Sequence, residues 1–379
     1  MSNDIRPFTI NIPQAELDDL DQRLAITRWP DRETPDDWSQ GIPLSYTQEI
    51  CQYWRTTYDW RRCENMLNEY PQFLTEIDGV DIHFLHVRSS EPNALALIIT
   101  HGWPGSVLEF MKVIGPLIDP VSHGGKAEDA FHVVAPSLPG FGFSGKPTTP
   151  GWGVEKIGDA WAQLMARLGY DSYVAQGGDW GAMITRMIGA HDEGHCRAIH
   201  LNMVTARPPL AGLANPTPRE QDALDGLKHY QDWDSGYSKQ QGTRPQTLGY
   251  ALVDSPVGQA AWIIEKFWSW MDCDGHPENV LSKDELLDNV MLYWLPATGA
   301  SSGRIYWQSF GKASNPKVNV PTGGSVFPKD IFRPTREWAE EVFANIVYWN
   351  EPDSGGHFAA MEKPGVLVTD IRKTFATIR

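Results

Sequence analysis

From residue 94 onward, short continuous apolar runs alternate with stretches patterned for helices, and this alternation restricts the chain to an α/β architecture. Residues 94–100, 131–135, 173–176 and 198–204 read as strands buried on both faces, the signature of a parallel sheet. Between them, 152–168 places Val154, Ile157, Trp161, Leu164, Met165 and Leu168 on one helical face, and 182–190 reads as a further helix.

The alternation lapses at Ala206-Arg207-Pro208-Pro209. Residues 207–310 are helical in pattern and dense in aromatics, and they read as an inserted helical cap. Sheet grammar returns at 318–327, weakened by Pro321 and Gly323-Gly324, and at 345–349, with a closing helix over 366–378. The expected core is thus one mostly parallel sheet flanked by helices, contributed by 91–206 and 311–379. Ahead of it, 1–90 is a polar segment studded with aromatics, expected to wrap the core or to join a homodimer. It holds a helix at 14–24, with Leu17, Leu20 and Leu24 on one face, and a hairpin over 73–87 turning at Asp78-Gly79.

Composition narrows the function. The net charge of −16 argues against nucleic acid, which demands a basic face, and against an anionic membrane surface. Cys51, Cys63, Cys196 and Cys273 form no metal or disulfide pattern. The opening residues carry no apolar stretch of the signal-peptide kind, and the most apolar short run, 94–99, is far short of a bilayer span. A cytoplasmic protein without a membrane anchor is expected.

Three motifs carry chemistry. Gly177-Gly178-Asp179-Trp180-Gly181 falls between a strand and a helix, where a G-x-nucleophile-x-G elbow exposes its central side chain above the sheet. A Gly-rich turn with a helix-capping Asp fits the same residues. His101-Gly102-Trp103-Pro104-Gly105-Ser106 follows strand 94–100, where elbow enzymes place their second oxyanion donor. The Trp103 N–H is that donor, since Pro104 has none; the Trp180 N–H is the first. A tight Pro-Gly turn is the plainer alternative. Gly355-Gly356-His357-Phe358 places a histidine after a late strand, in the order nucleophile, acid, histidine. The acid then lies between 179 and 357. Asp330 fits, with Glu337, Glu340, Glu341 and Asp353 as rivals.

Taken together, these motifs make the chain resemble an epoxide hydrolase of the microsomal type within the α/β-hydrolase fold. The similarity also runs through Tyr58-Asp59-Trp60-Arg61, Pro71-Gln72-Phe73, Pro139-Gly140-Phe141-Gly142-Phe143-Ser144, Asp254-Ser255-Pro256-Val257-Gly258 and Gly356-His357-Phe358-Ala359-Ala360. The resemblance implies Asp179 as nucleophile, His357 as base, Asp330 as its carboxylate partner, and two cap tyrosines, Tyr237 and Tyr306, as ring-opening acids. The chain is expected to depart from the mammalian pattern in lacking an N-terminal anchor, and it carries Asp at position 330 instead of Glu.

The chemistry suits those residue types. A serine opening an epoxide would leave a stable ether, whereas a carboxylate leaves an ester that water cleaves. Asp is ionised at neutral pH and needs no base for attack, which frees His357 for the hydrolytic step. The expected substrate is a small apolar epoxide, with water, giving a vicinal diol without a cofactor or metal. A haloalkane dehalogenase, with Trp180 as a halide ligand, and a non-catalytic receptor on the same scaffold are the alternatives.

Overall fold

The computed structural model describes residues 4–192, 194–208 and 214–379; Pro209 and the first three residues of the opening stretch lie outside them. The described strands are β1 (Arg6–Phe8), β2 (Gln72–Ile77), β3 (Val80–Val87), β4 (Leu95–Thr100), β5 (Phe131–Pro136), β6 (Tyr173–Gly177), β7 (Cys196–Leu201), β8 (Thr322–Ser325) and β9 (Ile346–Asn350). They form one sheet in the order β1-β2-β3-β5-β4-β6-β7-β8-β9. Pairing is antiparallel from β1 through β3 to β5 and parallel from β5 to β9. Every residue of β6 is buried, as expected of a strand covered on both faces. This is the α/β-hydrolase arrangement.

The hairpin β2–β3 turns at Asp78 and Gly79, whose φ angles of 49° and 79° are the positive pair that a two-residue type I′ turn requires. The expected helices form as Gln14–Ala25, Val154–Arg167, Trp180–His191 and Pro364–Phe375. One strand is shorter than its sequence pattern. Of 318–327, only Thr322–Ser325 pairs continuously; Pro321 has no N–H to offer, and Val318 makes an isolated bridge to Phe343.

Between β7 and β8 the described chain holds six α-helices, Pro218–His229, Gly236–Thr243, Pro245–Asp254, Pro256–Trp270, Lys283–Trp294 and Arg304–Ser309. Thr217 with Glu220, and Ser282 with Glu285, form reciprocal capping boxes that start two of them.

The aromatics of the N-terminal segment lock onto these helices. Tyr58 Oη and Arg62 Nη2 both donate to Asp288 at 2.7 Å, and Trp38 stacks on Trp268 at 4.8 Å. The helix Lys283–Trp294, which carries Asp288, also reaches the loop after β4. There Asn289 Nδ2 donates to the Pro104 carbonyl at 2.7 Å, and Tyr293 Oη to that of Gly105 at 2.6 Å. The first ninety residues thus brace, at one remove, the loop that carries Trp103. Among the described residues no helix is long and apolar enough to cross a membrane.

Candidate active site

β6 ends at Gly177 and the next helix begins at Trp180, so the chain reverses within two residues. Asp179 sits in that reversal with φ 50° and ψ −128°, a positive φ that a non-glycine residue adopts only under constraint. The flanking glycines make the turn fit. A Cβ on Gly181 would lie 1.9 Å from the Thr100 carbonyl oxygen, and one on Gly177 would lie 2.2 Å from the Gly181 oxygen. A Cβ on Gly102 would lie 2.1 Å from Asp179 Oδ1, so that loop also needs glycine to let the carboxylate in.

The carboxylate is held at both oxygens. Oδ1 accepts a hydrogen bond from the Trp103 N–H at 2.9 Å, and Oδ2 lies 3.3 Å from His357 Nε2. Trp180 opens the helix, so its N–H has no intrahelical partner. Asp179 is only 9% exposed.

His357 is buried, and its Nδ1 lies 2.7 Å from Asp330 Oδ1, which also accepts from the Ile331 N–H at 2.7 Å. Burial by itself disfavours the charged imidazole. The Asp330 charge, the hydrogen bonds to Asp179 and Asp330, and the Asp179 charge outweigh it and push His357 up to about 10. The four rival carboxylates, Glu337, Glu340, Glu341 and Asp353, are exposed.

Tyr237 and Tyr306 come from two helices that pair across the top of the sheet, and both are buried. The Tyr237 ring stacks on Trp103 at 4.8 Å, the Tyr306 ring meets Trp180 edge-on at 4.7 Å, and the two phenols lie 5.6 Å apart, centroid to centroid. Tyr237 Oη is 3.1 Å from Tyr230 Oη, whereas Tyr306 Oη is buried without a hydrogen-bond partner. An orphaned buried hydroxyl costs about 1–3 kcal/mol, which a ligand acceptor would recover. Burial, and then neighbouring charge and phenols, hold both tyrosines well above their ordinary range, so they are neutral donors in the resting site.

All seven residues singled out in the sequence, Trp103, Asp179, Trp180, Tyr237, Tyr306, Asp330 and His357, therefore converge on one spot. Three further groups carried no recognisable spacing. Glu109 packs its carboxyl against Gly105, with Oε1 1.6 Å from where a Cβ there would stand, and burial pushes it up to about 8. Tyr230 extends the phenol pair, and Lys266, almost fully buried, lies 5.2 Å from the Tyr237 ring centroid. A charge inside an apolar run, as in Val107-Leu108-Glu109-Phe110, was the available signal for Glu109.

A strand-to-helix elbow bearing a carboxylate, with a histidine and a second carboxylate in line behind it, defines an α/β-hydrolase with aspartate at the elbow position. A family model described as the epoxide hydrolase N terminus matches residues 5–110, and one for the alpha/beta hydrolase fold matches 96–251. The chain is 54% identical over 376 residues to a protein of Stigmatella aurantiaca (strain DW4/3-1), covering 99% of this chain and 86% of that one. It is 37% identical to epoxide hydrolase 1 of Sus scrofa, over 97% of this chain and 88% of the pig protein. It superposes on the solved Aspergillus niger epoxide hydrolase with a TM-score of 0.89 at 32% identity, covering 99% of this chain and 97% of that one. The chain belongs to the microsomal-type epoxide hydrolase family and is an enzyme of that type. Neither a haloalkane dehalogenase nor a non-catalytic receptor finds support in these relationships.

Proposed function

We propose that this enzyme converts an apolar epoxide to a vicinal diol in two steps through an ester on Asp179, beneath a cap formed by residues 207–310. The observation that carries the reading is the held carboxylate, with one oxygen on the Trp103 N–H and the other facing His357. Oδ1 stays on the amide, and Oδ2 attacks a ring carbon. The ring C–O bond breaks as one of the paired phenols gives its proton to the departing oxygen. The Tyr306 hydroxyl, buried and unpaired, is the vacant donor for that oxygen.

Hydrolysis follows. His357 Nε2 takes a proton from water, the hydroxide adds to the Asp179 carboxyl carbon, and the charge arising on Oδ1 rests on the Trp103 and Trp180 N–H groups. Collapse expels the diol oxygen, which takes the proton from His357; the carboxyl proton left on Asp179 then passes through solvent to the phenolate, which restores both the carboxylate and the phenol. Asp330 fixes the imidazole tautomer and stabilises its charged form. Alkylation also prepares the base. Esterified Asp179 carries no charge, so one cause of the raised His357 value disappears, and the imidazole is released toward the neutral form that the second step needs.

A single turnover in ¹⁸O water tests the scheme. The first diol should carry unlabelled oxygen and Asp179 should acquire the label; label in the first diol would mean direct attack by water and would sink the ester.

Three substitutions separate the half-reactions. Tyr237→Phe and Tyr306→Phe should each slow ester formation by about 10- to 100-fold, with the double variant slower than either. Stopped-flow quenching of tryptophan fluorescence reads that step; an unchanged double variant would remove the phenols from the reaction. Asp330→Asn should instead slow ester hydrolysis by about 10²- to 10⁴-fold while the burst of alkylation persists. A normal hydrolytic rate would show that the imidazole needs no carboxylate behind it.

A further inference from the structure

We propose that Glu362 and Asp272 form a clamp that ties the loop bearing His357 to the cap, so that docking of the cap fixes the position of the base. This inference rests on the two-step reading above and concerns its second step.

The loop at 355–358 follows β9 and has backbone donors to satisfy. It satisfies three of them on the cap or on Glu362. Gly355 N–H donates to Asp272 Oδ2 at 2.9 Å. His357 N–H donates to the Trp270 carbonyl, the C-terminal residue of the cap helix Pro256–Trp270, also at 2.9 Å. Phe358 N–H donates to Glu362 Oε1 at 2.9 Å. The second oxygen of Glu362 turns to the cap and accepts from the Asp272 N–H at 2.8 Å. One carboxylate therefore holds the residue after the base with one oxygen and the cap with the other.

The contact is close as well as polar. A Cβ on Gly356 would lie 2.3 Å from the Trp270 carbonyl oxygen. Phe358 stacks on Phe267 of the same cap helix at 4.1 Å, and the Trp270 ring meets the His357 imidazole edge-on at 5.0 Å. That Trp270 ring also lies 5.1 Å from Tyr237. The base loop reaches the acid loop by another bond, Lys329 N–H to the Gly355 carbonyl at 3.1 Å, one residue before Asp330. Acid, base and ring-opening phenol thus share a single mount, half of which is cap. A displacement of about 1 Å in a reacting group costs on the order of 10²-fold in rate, so a mount of this kind bears directly on hydrolysis.

Glu362 and Asp272 are positioning residues, since neither reaches the reacting atoms in the scheme. Glu362→Gln keeps the size of the side chain but sets an amide N–H against a backbone N–H. Ester hydrolysis in single-turnover experiments should fall by about 10- to 100-fold, with ester formation changed by less than about threefold. Asp272→Ala, at a half-buried position, should shift the same ratio in the same direction by a smaller factor. Glu362→Asp, which keeps both acceptor oxygens, should recover part of the lost hydrolytic rate. Equal slowing of both steps, or an unchanged ratio in Asp272→Ala, would overturn the clamp and leave only a structural contact. If the unsubstituted enzyme forms no ester on Asp179, the functional reading itself falls and the clamp with it.

Discussion

His357→Gln should stop the enzyme after one event, leaving each molecule heavier by one whole epoxide. Attack by Asp179 needs no base, so ring opening survives the substitution, while water activation does not. Glutamine is close in length to the imidazole and keeps a polar group beside Asp330, so the fold should hold. Intact-mass measurement after mixing with excess epoxide should show near-complete modification, and peptide mapping should place it on Asp179. Steady-state turnover should fall by about 10⁴- to 10⁶-fold. An unmodified protein with a good substrate, or diol formed at a rate near normal, would break the separation of the two steps.

That separation was partly visible in the sequence, and the parts that were visible share a physical reason. Asp179 and His357 are announced by their neighbours, because glycines must stand where the chain turns within two residues or where a Cβ would lie 1.9 to 2.3 Å from a backbone oxygen. Asp78-Gly79 is legible for the same reason, as a turn whose geometry only certain residues adopt. Asp330 required the family resemblance, since the order of the motifs admits the exposed Glu337 and Glu340 as readily and nothing in Phe327-Pro328-Lys329-Asp330 marks it out. The tyrosines required the family resemblance, because Tyr237 and Tyr306 stand among many aromatics with no local mark.

Other features depend on contacts distant in the chain, which local pattern does not encode. The helices Leu44–Thr56 and Trp60–Asn68 are hidden in the aromatic prelude, since part of what they pack against, the helices Pro256–Trp270 and Lys283–Trp294, lies far along the chain. The placing of β5 between β3 and β4 is a matter of crossover, invisible in the strands themselves. Strand β1, at three residues, is too short to announce itself. Glu109, Lys266 and Glu362 belong to the same class. Each is an ordinary charged residue until the fold brings it beside a loop or ring of the site.

Asp179→Ala should abolish diol formation, by about 10⁴- to 10⁶-fold, and should also change how the folded protein responds to pH. The two effects have one origin. In the resting enzyme the His357 imidazole is held above its ordinary value despite burial, first by the Asp330 charge and then by its contacts with Asp179. A histidine whose folded value is raised stabilises the fold fully below its unfolded value of about 6.5, and that contribution is lost as pH climbs toward the folded value. Here the window runs from about 6.5 up to about 10. Removing the Asp179 carboxylate deletes one of the two anions facing the ring, so the folded value should drop and stability should vary less across that window. Denaturant midpoints measured from pH 6 to pH 10 read this directly, and the imidazole proton resonances read the titration itself. Asp179→Gly, which tolerates the positive φ of the elbow, should reproduce both results and so remove backbone strain as the cause. Turnover surviving in either variant would mean that another group attacks the ring. An unchanged His357 titration would mean that the 3.3 Å approach of Nε2 to Oδ2 carries no charge coupling, and the release of the base on alkylation would lose its mechanism.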